Sequence, residues 1–223
     1  QYPFNKICEF IVENNPKILL ICNPNNPTGT RLSPEKILEI TNLSSQTLVV
    51  VDELYEGFTG DSVLPFVNFQ KTPNLVVLRS LSKTAGLAGL RIGFAIGNSK
   101  IINIVNRVTG PYDVNSFAVI AAFAALKDQP YVDSYVNQVL EASKWLKTKL
   151  EKYKVKCHFG GGNYFLLWAK SGPTVMEKEL KESGILVRSM DMKINLKGSL
   201  RVSIGTLEQM KRFWAAFKLI DKL

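Results

Sequence analysis

The chain has little of what marks a secreted, metal-stapled or membrane-spanning protein. Its 223 residues include three cysteines, Cys8, Cys22 and Cys157. The count is odd, the spacing is wide and no CxxC pair occurs, so neither a disulfide framework nor a metal site is expected. No apolar run reaches the length of a membrane span, and Gln1 opens no signal peptide. A reducing, cytoplasmic setting with no membrane partner is the expectation. Internal repeats and low-complexity stretches are missing as well. So is an initiating Met: "QYPFNKICEF" begins in mid-stride, as a segment of a longer protein would. Acidic residues are the scarcer charge, 19 against 28 basic ones, for a formal net charge of +9. The basic excess is scattered along segments such as "KWLKTKLEKYKVK", a solvated helix face rather than a stripe for nucleic acid.

What is present reads as a folded α/β protein, 46% apolar and 21% charged, long enough for one large domain or two small ones. "KILLIC" is a buried-strand pattern closed by the turn cluster "NPNNPTGT". Ser33 suits a helix N-cap and Pro34 the first helical position, ahead of the periodic "EKILEITNL". "TLVVVDELY", "NLVVLRSLS" and "RIGFAIG" are three further strands. Strands alternating with helices predict a mostly parallel sheet buried on both faces. From about Ser99 the pattern turns helical, through "NSFAVIAAFAALKD" and a long amphipathic run from Tyr131 to Tyr153. Strands "VKCHFG" and "NYFLLWA", a helix at "VMEKELKESG", strands "ILVRSM" and "LRVSIGT", and a final helix complete a smaller α+β part. The expected division is residues 1–125 for the large domain and 126–223 for the small one, including the long connecting helix.

Ligands of open α/β sheets sit at the carboxyl ends of the strands. Three polar motifs lie there: Asn23–Gly29, Asp52–Tyr55 and Ser80–Lys83. "SKT" looks like the end of a P-loop, but the glycines such a loop needs before its lysine are missing. Here they follow it, at Gly86, Gly89 and Gly93. Asp52 ends a run of valines, where a carboxylate is unfavourable unless paired or hydrogen-bonded.

Taken in order, "NPNNPTG", "DELY" and "SLSKTAGLAGLRIG" resemble the successive motifs of fold-type I pyridoxal phosphate enzymes, the aspartate-aminotransferase-like superfamily. The resemblance covers essentially the whole chain. "GPYDVNSFAVIAAFAAL", "GILVRSM" and "LRVSIGT" look most like the histidinol-phosphate aminotransferase branch, with threonine-phosphate decarboxylases as near relatives. The resemblance implies pyridoxal 5'-phosphate as cofactor, with Lys83 forming the Schiff base to its aldehyde. It places Asp52 against the pyridine nitrogen, and Asn26 and Tyr55 on the phenolic oxygen. Ser80, Ser82 and Arg91 would hold the phosphate, for which the planar fork of Arg is suited. Arg201 would bind the substrate's acidic group, Arg188 its phosphate, and Asn163 would lie near it.

The leading reaction implied is transamination of histidinol phosphate with 2-oxoglutarate, giving imidazole acetol phosphate and glutamate in histidine biosynthesis. Threonine-phosphate decarboxylation, transamination of another amino acid, and a non-catalytic fragment that keeps the fold are the alternatives. The partners implied are an amino-acid or amino-alcohol phosphate, a 2-oxo acid and a second copy of the chain, without nucleic acid. Family members are longer at the amino end by roughly a third of their length. The large domain is therefore expected to be incomplete, with sheet edges and apolar faces uncovered.

Overall fold

The apolar runs at 18–22, 48–52 and 75–80 become neighbouring strands that end at one level. The computed structural model describes residues 2–223. The chain forms two compact units: one runs to Val132 apart from Pro27–Gly29, and the other comprises Pro27–Gly29 with Asp133–Leu223.

In the first unit β1 (Ile18–Cys22), β2 (Leu48–Asp52), β3 (Leu75–Ser80) and β4 (Gly93–Gly97) lie side by side in that order. β1, β2 and β3 are parallel, and β4 runs antiparallel to β3. The register pairs Cys22 with Asp52 and Asp52 with Leu78, so the polar residues after each strand emerge together. One sheet face packs on α1 (Phe4–Asn14) and α2 (Pro34–Asn42), through a core that includes Ile11, Ile37, Ile40, Val49, Val51, Leu75 and Val77. β-Branched residues suit both the strand geometry and this packing. α1 occupies a stretch for which the sequence suggested no element. Ser33 takes the N-cap position of α2 with extended backbone, but its hydroxyl makes no capping bond. It bonds the Glu35 carboxyl instead and lowers that group's pKa.

α3 (Ser99–Asn106) follows β4, and α4 (Ser116–Lys127) follows in turn. α4 is apolar on nearly every side, a pattern normal for a helix enclosed by protein. Only Ala118 and Ala122 are buried, in a cluster with Leu81 and Ile92. Phe117, Ile120 and Phe123 are 79%, 69% and 61% exposed. Ile18 and Leu20 on the edge strand β1 are likewise exposed.

The second unit holds most of α5 (Gln129–Lys152) and an antiparallel sheet of β5 (Lys156–Phe159), β6 (Tyr164–Trp168), β8 (Leu200–Ser203) and β7 (Arg188–Ser189), in that spatial order. Tyr164, Phe165, Leu166 and Leu167 are all buried, so β6 is covered on both faces. α7 (Leu207–Ile220) starts on a capping box between Thr206 and Gln209 and contributes Phe213 and Phe217 to the core. The strand expected over "ILVRSM" contracts to Arg188–Ser189. Its first residues instead close α6 (Pro173–Glu182): the Ile185 N–H donates to the Leu180 carbonyl, around Gly184 at φ 72°.

Gly29, in this second unit, cannot be replaced without movement. Its φ is 67°, and a Cβ there would stand 2.6 Å from Gly160 Cα. Gly86 has φ 69° but open space around it. Gly29→Ala is expected to destabilise by more than the ~1–2 kcal/mol that left-handed φ alone costs a side chain, and Gly86→Ala by about that amount only. All three tryptophans, Trp145, Trp168 and Trp214, lie in the second unit. Urea unfolding followed by their fluorescence should therefore shift clearly for Gly29→Ala and little for Gly86→Ala.

Candidate functional site

The carboxyl edge of the parallel strands gathers the polar motifs. After β1, the buried Asn23 braces the turn: its amide donates to the Leu32 carbonyl at 3.1 Å, and its oxygen accepts the Leu32 N–H at 2.7 Å. Asn26 lies exposed in that turn. Tyr2 donates its hydroxyl to the Cys22 carbonyl at the end of β1, and burial pushes its phenol upward in pKa. Burial also raises the Cys22 thiol, opposed by the Asn26 N–H and aided by the Asp52 carboxylate.

Asp52 closes β2, and its Oδ1 accepts the Leu54 N–H at 3.0 Å, which turns the chain sharply. It borders a cavity of about 380 Å³ together with Leu54, Leu78, Arg79, Ser80 and the β4 residues Gly93, Phe94 and Ala95. Tyr55 is buried, and the Lys83 Nζ lies 5.7 Å from the centre of its ring. Ser80, Ser82, Lys83 and Arg91 line a second cavity, of about 330 Å³. The two cavities adjoin, sharing Leu54, Ser80 and Gly93. Ser80 Oγ donates to Ser82 Oγ at 2.7 Å and accepts the Ser82 N–H at 3.1 Å, so the two hydroxyls stand as a pair. Arg91 sits at φ 56°, a conformation unfavourable for a residue with a side chain, and donates to the Ala88 carbonyl at 3.2 Å. Of the glycines after Lys83, Gly86 uses its positive φ, and a Cβ at Gly93 would press to 3.2 Å on the Arg79 carbonyl.

The remaining sequence candidates lie in the second unit. Arg188 and Arg201 face each other as a register pair on β7 and β8. The Arg201 guanidinium lies 4.4 Å over the Tyr164 ring. Asn163 accepts the Ile204 N–H through its carbonyl. It borders a cavity of about 410 Å³ that is lined by Tyr135, Ile185, Val202 and Phe213 among others, but not by the two arginines.

Two charged residues at the strand ends were not singled out by sequence. Glu53 is 1% exposed and accepts bonds from Ser62 and Val63. Arg79 pairs with both Glu53 and Glu56. The signal that could have found them is the alternation of Val49, Val51, Glu53 and of Leu75, Val77, Arg79, which places an acid and a base where aliphatic residues would be expected. Among the described residues, no helix is long and apolar enough to cross a membrane, and no three His, Cys, Asp or Glu side chains gather as metal ligands would.

The family model Aminotransferase class I and II matches residues 3–217. A histidinol-phosphate aminotransferase of Thermoanaerobacter sp. (strain X514) is 37% identical over 208 residues, covering 93% of this chain and 58% of the relative. This chain thus spans well under two thirds of that relative's length. Among solved structures, the histidinol-phosphate aminotransferase of Sinorhizobium meliloti in complex with pyridoxal-5'-phosphate superposes with a TM-score of 0.87 at 21% identity, over 98% of this chain and 61% of that one. The L-threonine-O-3-phosphate decarboxylase of Porphyromonas gingivalis gives a TM-score of 0.84 at 27% identity, over 100% and 70%.

Proposed function

Since the chain belongs to the class I and II aminotransferase family, we propose that it binds pyridoxal 5'-phosphate and forms the cofactor- and substrate-binding part of a histidinol-phosphate aminotransferase, with 2-oxoglutarate as amino acceptor. One observation carries this reading. Lys83, two paired serine hydroxyls and Arg91 line one hollow, and the Asp52 carboxylate borders the hollow beside it.

The donor set fits the cofactor. Hydroxyls, a guanidinium and an amine suit a phosphate dianion with an aldehyde beside it. A carboxylate suits a ring nitrogen that must stay protonated. When bound, pyridoxal phosphate supplies the electron sink of the reaction. The protein's residues then have separable tasks. Ser80, Ser82 and Arg91 bind the phosphate. Asp52 holds the proton on the pyridine nitrogen. Asn26 and Tyr55 hydrogen-bond the phenolic oxygen. Lys83 would hold the cofactor's aldehyde carbon, and its free amine would move a proton at the substrate's α-carbon.

In the second unit, Arg201 is assigned to the substrate's acidic group and Arg188 to its phosphate. Two cations opposed in register on adjacent strands suit a dianion better than a single carboxylate. Asn163 immediately precedes Tyr164, over whose ring Arg201 lies, and is assigned a place beside the substrate. A cytoplasmic homodimer is the setting this reading implies.

Decarboxylation of threonine phosphate is the second reading, favoured by the likeness to the Porphyromonas gingivalis decarboxylase. The same cofactor contacts serve both reactions, so substrates separate them. The chain is incubated with pyridoxal phosphate and either histidinol phosphate plus 2-oxoglutarate or threonine phosphate alone. Glutamate formed only in the first mixture supports the aminotransferase. Carbon dioxide released in the second without a keto acid overturns it. A cofactor absorption band with no turnover in either mixture leaves a binding fragment.

A further inference from the structure

The tasks assigned above use Asp52 and Ser80 but not the residues beside them, Glu53 and Arg79. Alternation along β2 puts Glu53 in the row of Val49 and Val51, and alternation along β3 puts Arg79 in the row of Leu75 and Val77. These four aliphatic residues belong to the core beneath the sheet, and each is 0% exposed. Both rows therefore change, at the carboxyl edge, from aliphatic to charged. The last register pair is Asp52 with Leu78. The Glu53 N–H donates to the Leu78 carbonyl at 2.9 Å, which brings Glu53 and Arg79 side by side one step further on.

The contacts of the Glu53 carboxylate are specific. Oε1 accepts the Val63 N–H at 2.7 Å, and Oε2 accepts the Ser62 hydroxyl at 2.7 Å. The same Oε2 lies 3.4 Å from Arg79 Nε, while the other end of that guanidinium holds Glu56. Burial pushes the Glu53 carboxyl upward in pKa, against the lowering by Val63, Ser62 and Arg79. Well-packed aliphatic side chains would hold a core here at least as well as an ion pair. What distinguishes this ion pair is its position. Its neighbours along the same strand ends, Asp52 and Ser80, border the proposed cofactor site, and Arg79 reaches the wall of that same cavity.

We propose that Glu53 and Arg79 are a positioning pair: together they lock the ends of β2 and β3 to each other, and so hold Asp52 and Ser80 at the separation that bound pyridoxal phosphate requires. The second half of this proposal rests on the function proposed above. The first half is a property of the chain without any ligand. The pair acts as a unit. A change on either side removes the one ion pair that joins the two strand ends, and leaves Glu53 tied only to Ser62 and Val63 and Arg79 only to Glu56.

Two variants remove the charge without emptying the core. Glu53→Gln keeps an oxygen for the Val63 N–H and an amide for the Ser62 hydroxyl. Arg79→Gln shortens a side chain that is already 29% exposed. Arg79→Lys keeps the charge and loses the fork. Hydrogen exchange read by mass spectrometry on the full chain without cofactor tests the locking. Pyridoxal phosphate titration, following the absorption band and the pH midpoint of its transition, tests the positioning.

The Gln variants are expected to exchange about tenfold faster at residues 52–56 and 78–84, with α2 unchanged. Their apparent Kd for pyridoxal phosphate should rise about tenfold, in line with loss of a hydrogen bond to a charged group. The pH midpoint should move, the double variant should be no worse than either single one, and Arg79→Lys should recover part of the loss. Unchanged exchange at the strand ends overturns the proposal. So does an affinity and pH midpoint equal to the parent's in variants that merely melt earlier, which is a structural role only. If the parent itself shows no cofactor band, the functional reading fails, and exchange at the two strand ends still decides whether the pair locks them.

Discussion

Lys83→Ala is expected to eliminate the visible band that pyridoxal phosphate gives with the parent chain, and to eliminate the covalent adduct that borohydride then traps. The chain is rich in lysine, and surface amines also react reversibly with an aldehyde. What sets Lys83 apart is its surroundings. It lines the hollow that holds the Ser80 and Ser82 hydroxyls and Arg91, with its Nζ 5.7 Å from the centre of the Tyr55 ring. In the proposed function those donors hold the cofactor phosphate, which would raise the local concentration of the aldehyde at this one amine. Peptide mapping of the reduced protein should find the adduct on the peptide containing Lys83 in the parent and on no single peptide in the variant. Ser80, Ser82 and Arg91 remain, so the variant should still retain the cofactor weakly and without the band. An adduct at another lysine of the parent, or an equal band in Lys83→Ala, contradicts the assignment.

The second large effect concerns α4. If α4 is the face through which the proposed homodimer forms, the triple substitution Phe117→Lys, Ile120→Lys and Phe123→Lys should raise the concentration needed for association by at least 100-fold. Each of these side chains is more than half exposed on a helix that is apolar on nearly every side. Covering such a side chain contributes about 1.5–3 kcal/mol, so three of them dominate any contact made through this surface. The buried face, Ala118 and Ala122, is untouched, and the helix keeps its packing on Leu81 and Ile92. Light scattering during gel filtration over a wide range of loading concentrations reads the change. If association persists unaltered, the exposed apolar residues of β1, Ile18 and Leu20, are the next surface to substitute.

The parts of the fold that were legible in sequence share a cause. β1, β2 and β3 are uninterrupted apolar runs closed by polar motifs, a pattern that fixes both the element and the end that carries the chemistry. The sequence places Asp52 and Ser80 at strand ends and Lys83 directly after one; β2 ends at Asp52, β3 ends at Ser80, and Lys83 follows three residues later in a turn. α1 escaped notice because its N-cap is Pro3, which supplies no capping side chain, and its first turn holds no acidic residue. The N-cap reading of Ser33 holds for its position and backbone but not for its side chain, because Glu35 captures the hydroxyl. Glu53 and Arg79 were illegible for a deeper reason. They lie 26 positions apart, and they become neighbours only once the register of two parallel strands is known. Asn23 was read as part of a turn motif, and its clamp on Leu32 depends likewise on how that turn folds back.

The antiparallel return of β4 has one more consequence. Ser80 and Gly93 are a register pair, so the segment 81–92 leaves and re-enters the sheet at a single rung. Lys83 and Arg91 ride on a closed loop that is pinned along its length, since its Ala85, Leu87 and Leu90 pack on the cluster of Leu81, Ile92, Ala118 and Ala122. An insertion at Gly86, between the packed Ala85 and Leu87, should therefore lower the melting temperature and at the same time scatter the amine and the guanidinium that the loop now presents together. At this rung of the sheet, resistance to unfolding and fitness for chemistry draw on the same packing, so a loop that works loose loses both.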